Sequence, residues 1–272
     1  VPDPAGPERT GEGGPLPLYR DRVRAGSFGR DAERYDRARP SYPRVLIDRL
    51  TADRPASVVD VGCGTGIAAR LFAQRGATVL GVEQDARMAK VARTHGVAVE
   101  VSGFEDWDAA GRRFDLLVSA QAWHWVDPAV GPTKAADVVR PGGRLGLFWN
   151  LGRPPGDLRE RFDHVYAEHA PGLEAYSVLL GRGEASRADA AATDLGREAR
   201  WTRIEVETFP YDVTYATAQW LEQLQTHSDH QTLPPGRLQA LLTDIAFEID
   251  RNEGSFVMHY ETALVSARRG AG

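Results

Sequence analysis

Cysteine is nearly absent: Cys63 stands alone among 272 residues. No disulfide can form within the chain, as expected of a reducing cytoplasm. No run of eighteen apolar residues occurs, so no membrane-spanning helix is expected. The first residues lack the basic-then-apolar pattern of a secretory signal, and a valine at position 1 is expected of a processed or trimmed start. Lysine is scarce too, with only Lys90 and Lys134; arginine supplies the rest of the 33 basic residues. That bias, with much Ala and Gly, points to a GC-rich bacterial genome. Against 38 acidic residues the formal net charge is −5, the wrong balance for a nucleic-acid surface. The densest basic stretch, "YRDRVRAGSFGRDAERYDRAR", is interleaved with Asp21, Asp31, Glu33 and Asp36 and reads as a solvated helical face.

What is present is enough apolar residue, 42%, for one sizeable domain or a domain with an insertion. Residues 1–15 are rich in Pro and Gly and read as a disordered tail. "SYPRVLIDRL" opens a helix, with Ser41 as a cap candidate. Then "ASVVDVG", "TVLGVE", "VAVEVS", "FDLLVSA" and "RLGLFWN" read as strands. The stretches "GIAARLFAQRG", "ARMAKVARTHG" and "TKAADVVRPGG", the last stopping at Pro141, read as the helices between them. This alternation predicts a doubly wound α/β fold with a mostly parallel sheet. Beyond Asn150, "DLRERFDHVYAEH", "TAQWLEQLQT" and "PPGRLQALLTDIAFEID" read as helices. "RIEVETFPYDVTY" reads as a strand broken at Pro210, and "SFVMHYETALVSARR" as a closing strand. Residues 171–200 show only weak periodicity, and no internal repeat is visible.

"VVDVGCGTG" joins the first strand to the first crossover helix. Gly62, Gly64 and Gly66 remove Cβ atoms where the turn is tight and a ligand must approach the backbone. The following helix offers unpaired N–H groups, and a nucleotide-type ligand is expected at the strands' carboxyl ends. The dinucleotide fingerprint fails here, because Ile67 stands where its third glycine belongs. Asp60 would repel a pyrophosphate but tolerate a ligand carrying an ammonium and a sulfonium. Glu83, closing the next strand, can accept from both hydroxyls of a ribose.

With "GVEQDARM", "GFEDW", "FDLLVSAQAWHW" and "VVRPGGRL" in the same order, the chain over residues 28–150 resembles the class I S-adenosylmethionine-dependent methyltransferases. "SFGRDAERYDRARPSYP" is similar to the small-molecule branch that includes trans-aconitate methyltransferases, and "LQTHSDHQTLPPGRLQALL" is similar to it as well. The resemblance implies a Rossmann-like seven-stranded sheet with its last strand antiparallel, and an α-helical insertion or lid. It divides the chain into an N-terminal helical lid over 16–52, a cofactor-binding core over 53–150, and a helical cap with closing strands over 151–272. The implied cofactor is S-adenosylmethionine, leaving as S-adenosylhomocysteine. Asp60 and the backbone of Gly62, Cys63, Gly64, Thr65 and Gly66 would surround its methionine, and Glu83 would take the ribose. Gln84 and Met88 would lie beside the adenosine, Phe104 and Glu105 at the adenine, and Ala120 and Gln121 under the amino group. Two positions depart from the family's pattern: Glu83 replaces a commoner aspartate, and Gly103 replaces a carboxylate that would hold the adenine amino group.

The implied reaction is methyl transfer to an oxygen, nitrogen or carbon of a small-molecule acceptor, in bacterial specialised metabolism, without nucleic-acid or membrane partners. The alternative is a regulatory or scaffolding protein that binds the cofactor without transferring its methyl group. "AWHW" follows the fourth strand. His124 there is either a hydrogen-bonded architectural residue or a general base or donor facing the acceptor, with Trp123 and Trp125 walling out water. Tyr35 and Arg39 are expected in the lid, Arg39 pairing with a cofactor or substrate carboxylate or with a surface partner. His227 is a candidate substrate contact, and Ser228 or Asp229 a helix cap. Two histidines three apart are too few for a metal site. Cys63 reads as a small buried residue.

Overall fold

The computed structural model describes residues 17–21, 26–171, 173 and 184–271; the tail expected over residues 1–15 lies outside them. Two short 3₁₀ turns, Leu18–Arg20 and Phe28–Asp31, precede α1 (Ala32–Ala38) and α2 (Arg44–Thr51). Then β1 (Ser57–Val61), α3 (Ile67–Ala73), β2 (Thr78–Glu83), α4 (Ala86–Thr94), β3 (Ala98–Val101) and β4 (Phe114–Ala120) alternate. A 3₁₀ turn at Trp123–Trp125 leads to α5 (Gly131–Val138) and β5 (Val139–Arg153). The remainder holds α6 (Gly156–His169), α7 (Glu184–Gly196), β6 (Trp201–Ala216) and α8 (Thr217–Leu224). A 3₁₀ turn at His230–Thr232, α9 (Pro235–Asp250) and β7 (Ser255–Arg269) complete it.

The strands form one seven-stranded sheet in the order β3-β2-β1-β4-β5-β7-β6. β1 to β5 pair in parallel, and β7 runs antiparallel to both β5 and β6. The doubly wound, mostly parallel sheet expected from the sequence is the one found. Strand alternation explains how apolar runs serve two faces at once. Val58, Leu116 and Phe148 pack on one side with Leu46, Ile47 and Leu50 of α2, Phe72 of α3 and Ala89 of α4. Their neighbours Val59, Leu117, Leu147 and Trp149 pack on the other, with Ala135 of α5 and Ala188 of α7. The chain moves outward from β1 to β3 and returns to β4 on β1's other side, so the order reverses between β1 and β4. Ligands of such sheets sit at that reversal, outside the strands' carboxyl ends. β5 and β7 overrun that end. There α6, α8 and α9 cover them through Leu158, Phe162, Trp220, Ile245, Phe256 and Tyr260.

Several local expectations give way. α5 stops at Val138 instead of Pro141, because Val139 already pairs with Phe114 as the start of β5. Helix α2 begins at Arg44 after Pro43; Ser41 is no cap, and its carbonyl instead accepts from Asn150 and Tyr211. β6 runs unbroken through Pro210, paired opposite Glu261. As an edge strand it tolerates a residue without an N–H donor. Within the weakly periodic stretch 171–200, α7 buries Ala188, Ala191 and Leu195, a helical face of small residues. Of the basic stretch read as a solvated face, residues 22–25 lie outside the described residues. α1 exposes Glu33 and Arg37, but Arg34, Arg37 and the following Arg39 donate to Gln225, Glu222 and the Thr226 carbonyl. Asp36 meets Arg70 at 3.0 Å and His95 at 2.9 Å on the sheet side. α1 therefore bridges the cap and the core.

Candidate active site

The glycine loop is tied to β2, with the Gly62 and Cys63 amides both donating to the Val82 carbonyl. Gly62, at φ +68°, leaves no room for a side chain: a Cβ there would lie 2.4 Å from the Ala122 methyl group. Glu83 finishes the turn from below. One of its oxygens accepts from the Gly64 amide and the other from the Asp85 amide, each at 2.8 Å. The Gln84 amide also acts on this carboxylate, which leaves it lone-pair capacity for a ligand donor. Burial pushes the Glu83 carboxyl up, against the pull of those amides.

Asp60 is fully buried, and the one donor directed at it is the Ala69 N–H, too far or too bent for a full hydrogen bond. Burial first, then the neighbouring Glu83 charge, push its carboxyl up to about 8, with the Ala69 N–H offsetting part. A buried acid so poorly partnered is costly when ionised, and a positive charge bound nearby in the cleft would relieve that cost.

Two cavities open at the carboxyl end of the sheet. The first, of about 730 Å³ with its open mouth included, is the glycine-loop cleft. Tyr35, Gly62, Gly64, Glu83, Gln84, Met88, Phe104, Glu105, Ala120 and Gln121 line it, as the sequence suggested. Asp60, Cys63, Thr65 and Gly66 do not reach its wall. Asp60, Cys63 and Thr65 are buried, and the Cys63 sulfur fills the space beside Gly81. Sequence reasoning missed Phe28, Asp85, Ser102 and Ala122 on that wall. Asp85, which caps α4 and pairs with Arg87, was the findable one, because an acid opening a helix is a cap signal.

The second, of about 850 Å³ measured the same way, lies under the cap. Its wall includes Arg39, His124, Asn150, Arg187, Gln223, His227, Asp229 and Tyr260. Arg39, expected to pair with a cofactor or substrate carboxylate or with a surface partner, borders the cap cavity and not the glycine-loop cleft. Phe28, Tyr35, Gln121 and Trp125 border both cavities. Phe28 meets Tyr35 and Trp125 edge to face, at 5.9 and 6.0 Å between ring centres. Gln121 has a left-handed backbone, φ +56°, pinned by bonds from its amide to the Phe148 carbonyl and from its side chain to that of Asn150. Strain held in place by its surroundings is a mark of functional sites.

The 3₁₀ turn sorts "WHW" by direction, since three residues per turn send successive side chains to different sides. Trp123 points into the core against Phe104, touching neither cavity, so the substrate role considered for it falls away. Trp125 forms the shared wall. His124 faces the cap cavity, and its Nδ1 accepts from the Trp149 indole N–H at 3.2 Å. An indole nitrogen can only donate, so the neutral His124 ring carries its proton on Nε2.

His227 borders the cap cavity. Burial first, then Arg39 and His230, hold its imidazole well below the ordinary histidine range. Asp229 caps the 3₁₀ turn at His230–Thr232 and accepts from both the amide and the ring of His230. The other ring nitrogen of His230 meets the Tyr166 hydroxyl at 2.8 Å. Burial alone would raise the Asp229 carboxyl, but the His230 bonds hold it below its usual range.

Comparison with known proteins agrees with this geometry. Residues 59–147 match the methyltransferase domain family. A ubiquinone biosynthesis O-methyltransferase from Thiobacillus denitrificans is 32% identical over 192 residues, 67% of this chain and 78% of that one. An uncharacterised methyltransferase from Mycobacterium bovis is 41% identical over 127 residues, 46% of this chain and 52% of that one. The chain therefore spans about half the length of its mycobacterial relatives. A structure from Anaeromyxobacter dehalogenans, described as a type II methyltransferase, superposes with a TM-score of 0.63 at 22% identity. It covers 85% of this chain and 97% of its own, and at that identity it speaks for the fold alone. The chain belongs to the class I S-adenosylmethionine-dependent methyltransferases. Among the described residues, no helix is long and apolar enough to cross a membrane.

Proposed function

We propose that the protein transfers a methyl group from S-adenosylmethionine, held in the glycine-loop cleft, to a small-molecule acceptor in the cap cavity. The observation that carries this reading is the shared wall of Phe28, Tyr35, Gln121 and Trp125. Ligands seated on either side of a wall one residue thick are within reach of each other. The cofactor, when bound, supplies a methyl group on a sulfonium, and the protein's part is to align the acceptor and exclude water. Asp60, buried beneath the glycine loop and off the cleft wall, acts on the ammonium end through its charge and not by contact. Glu83 offers its remaining lone pairs to the ribose, and Phe28, Tyr35 and Trp125 screen the transfer point from solvent. His124 acts as a hydrogen-bond donor through Nε2 and not as a base, because Trp149 occupies the nitrogen that would take the proton. The ubiquinone-pathway relative supports a small-molecule acceptor.

Release of S-adenosylhomocysteine on incubation with S-adenosylmethionine and a panel of hydroxyl, amine and acid acceptors tests the reaction. Thermal shift tests the cofactor: S-adenosylmethionine and S-adenosylhomocysteine should raise the melting temperature, and NAD and NADP should not. Stabilisation by NAD alone, with no acceptor-dependent turnover, would refute the reading.

A further inference from the structure

The cap cavity holds buried polar groups that its own walls leave without partners. Arg39 lies over the Tyr35 ring at 4.9 Å and donates one Nη to the Thr226 carbonyl, while its buried Nε–H meets no protein acceptor. Gln223 is only 2% exposed. Its amide nitrogen donates to the Tyr260 hydroxyl at 3.2 Å, and its Oε1 meets no donor. The Nε2 of His227 is likewise buried without a partner. These groups form one cluster, since the Arg39 charge acts on both His227 and Tyr260. Each orphaned group is costly in a protein interior, so three in one cavity mark a place built around a polar ligand.

The charges select its sign. Among the described residues bordering this cavity, two are guanidiniums, Arg39 and Arg187, and one is a carboxylate, Asp229, whose Oδ1 accepts both bonds from His230. His227 and His124 add no positive charge. A guanidinium Nε–H directed at an oxyanion is a strong, oriented hydrogen bond, and Gln223 Oε1 requires a donor on the same ligand.

We propose that Arg39, His227 and Gln223 form a subsite for a small oxyanion, a carboxylate or a phosphate, bearing a neighbouring hydroxyl or amine. Arg39 holds the anion, neutral His227 donates to it in the tautomer protonated at Nε2, and Gln223 reads the neighbouring donor. Only the subsite's role in holding the methyl acceptor rests on the function proposed above; anion binding stands apart from it. Calorimetric titration of protein saturated with S-adenosylhomocysteine uses four probes: lactate, propionate, lactamide and inorganic phosphate. Lactate should bind more tightly than propionate, and lactamide should not bind. Phosphate binding without carboxylate binding assigns the site to phosphate compounds. Arg39→Gln should weaken the bound anion by about ten- to a hundred-fold, with S-adenosylhomocysteine affinity reporting that the protein is folded. Gln223→Leu should erase the preference for lactate over propionate while propionate still binds. Lactamide binding as well as lactate, anion affinity untouched by Arg39→Gln, or no binding of any anion at millimolar concentration would each overturn the subsite. Should S-adenosylhomocysteine itself fail to bind, the methyltransferase reading falls. The same anion titrations on the unliganded protein, with circular dichroism reporting the fold of the variants, then decide the subsite alone.

Discussion

Sealed beneath the glycine loop beside Glu83, the Asp60 carboxyl keeps its proton up to about pH 8, whereas an aspartate in an unfolded chain loses it near pH 4. Between those values the folded protein binds more protons at this residue than the unfolded chain does. Asp60's contribution to the stability of the ligand-free protein therefore falls as pH rises from about 4 to about 8. A cation bound in the cleft above Asp60 favours the ionised form through space, so binding S-adenosylmethionine at neutral pH should release a proton, and affinity should rise with pH toward 8. Titration in two buffers of different ionisation enthalpy measures that release. The same proton count for Asp60→Asn as for wild type would rule Asp60 out as its source. At His124 the indole bond leads to a second expectation. His124→Asn keeps a donor, so turnover should fall by no more than about tenfold, the worth of one hydrogen bond. Loss of a general base would cost about 10²- to 10⁴-fold, and a fall of that size in a folded His124→Asn protein would restore the base.

At the scale of elements, β2, β4 and β7 were legible to the residue and β1 to within one residue at each end, and for a physical reason. A strand covered on both faces is an apolar, β-branched run, short as in β1, β2 and β4 or extended as in β7. The misreadings fall where that pattern is absent. Pro210 breaks a central strand but not an edge one, and α7 packs with alanines whose periodicity barely differs from that of a loop. α1 was legible as a helix but not as a bridge, since Arg37 to Glu222 and Asp36 to Arg70 join residues far apart in sequence. From that bridge, and from Phe28 and Tyr35 on the wall of the cleft, we expect residues 26–40 to exchange backbone hydrogens more slowly once S-adenosylhomocysteine is bound. Hydrogen–deuterium exchange of this segment that ignores the ligand would remove its role as a lid. Gly62→Ala should abolish cofactor binding. The φ of +68° and the Ala122 methyl 2.4 Å from the new Cβ leave the loop no way to absorb it, and calorimetry on the folded variant measures the loss.

For the whole molecule, the sequence exposed one cavity far better than the other. The cleft is built from short consecutive segments, each a strand end and its turn, so a linear reading finds most of it. The cap cavity draws Arg39, His124, Gln223 and Tyr260 from four distant stretches, and only the overrun of β5 and β7 brings them together. The two cavities also rest on different cores. The glycine loop stands on the sheet packing around Phe72 and Val58. Trp220 and Leu224, on the helix that carries Gln223, stand on the cap cluster around Ile245. Ile245 and Phe72 are both fully buried, so truncation of either to alanine should cost about 2–5 kcal/mol of stability, read by chemical denaturation. Their effects on ligands should diverge. Phe72→Ala should weaken S-adenosylhomocysteine binding, because it loosens the layer under the loop. Ile245→Ala should leave that affinity within about threefold of wild type and weaken binding in the cap cavity. Equal losses at both cavities from Ile245→Ala would mean that cap and core yield as one unit, with the bridge through α1 transmitting the strain.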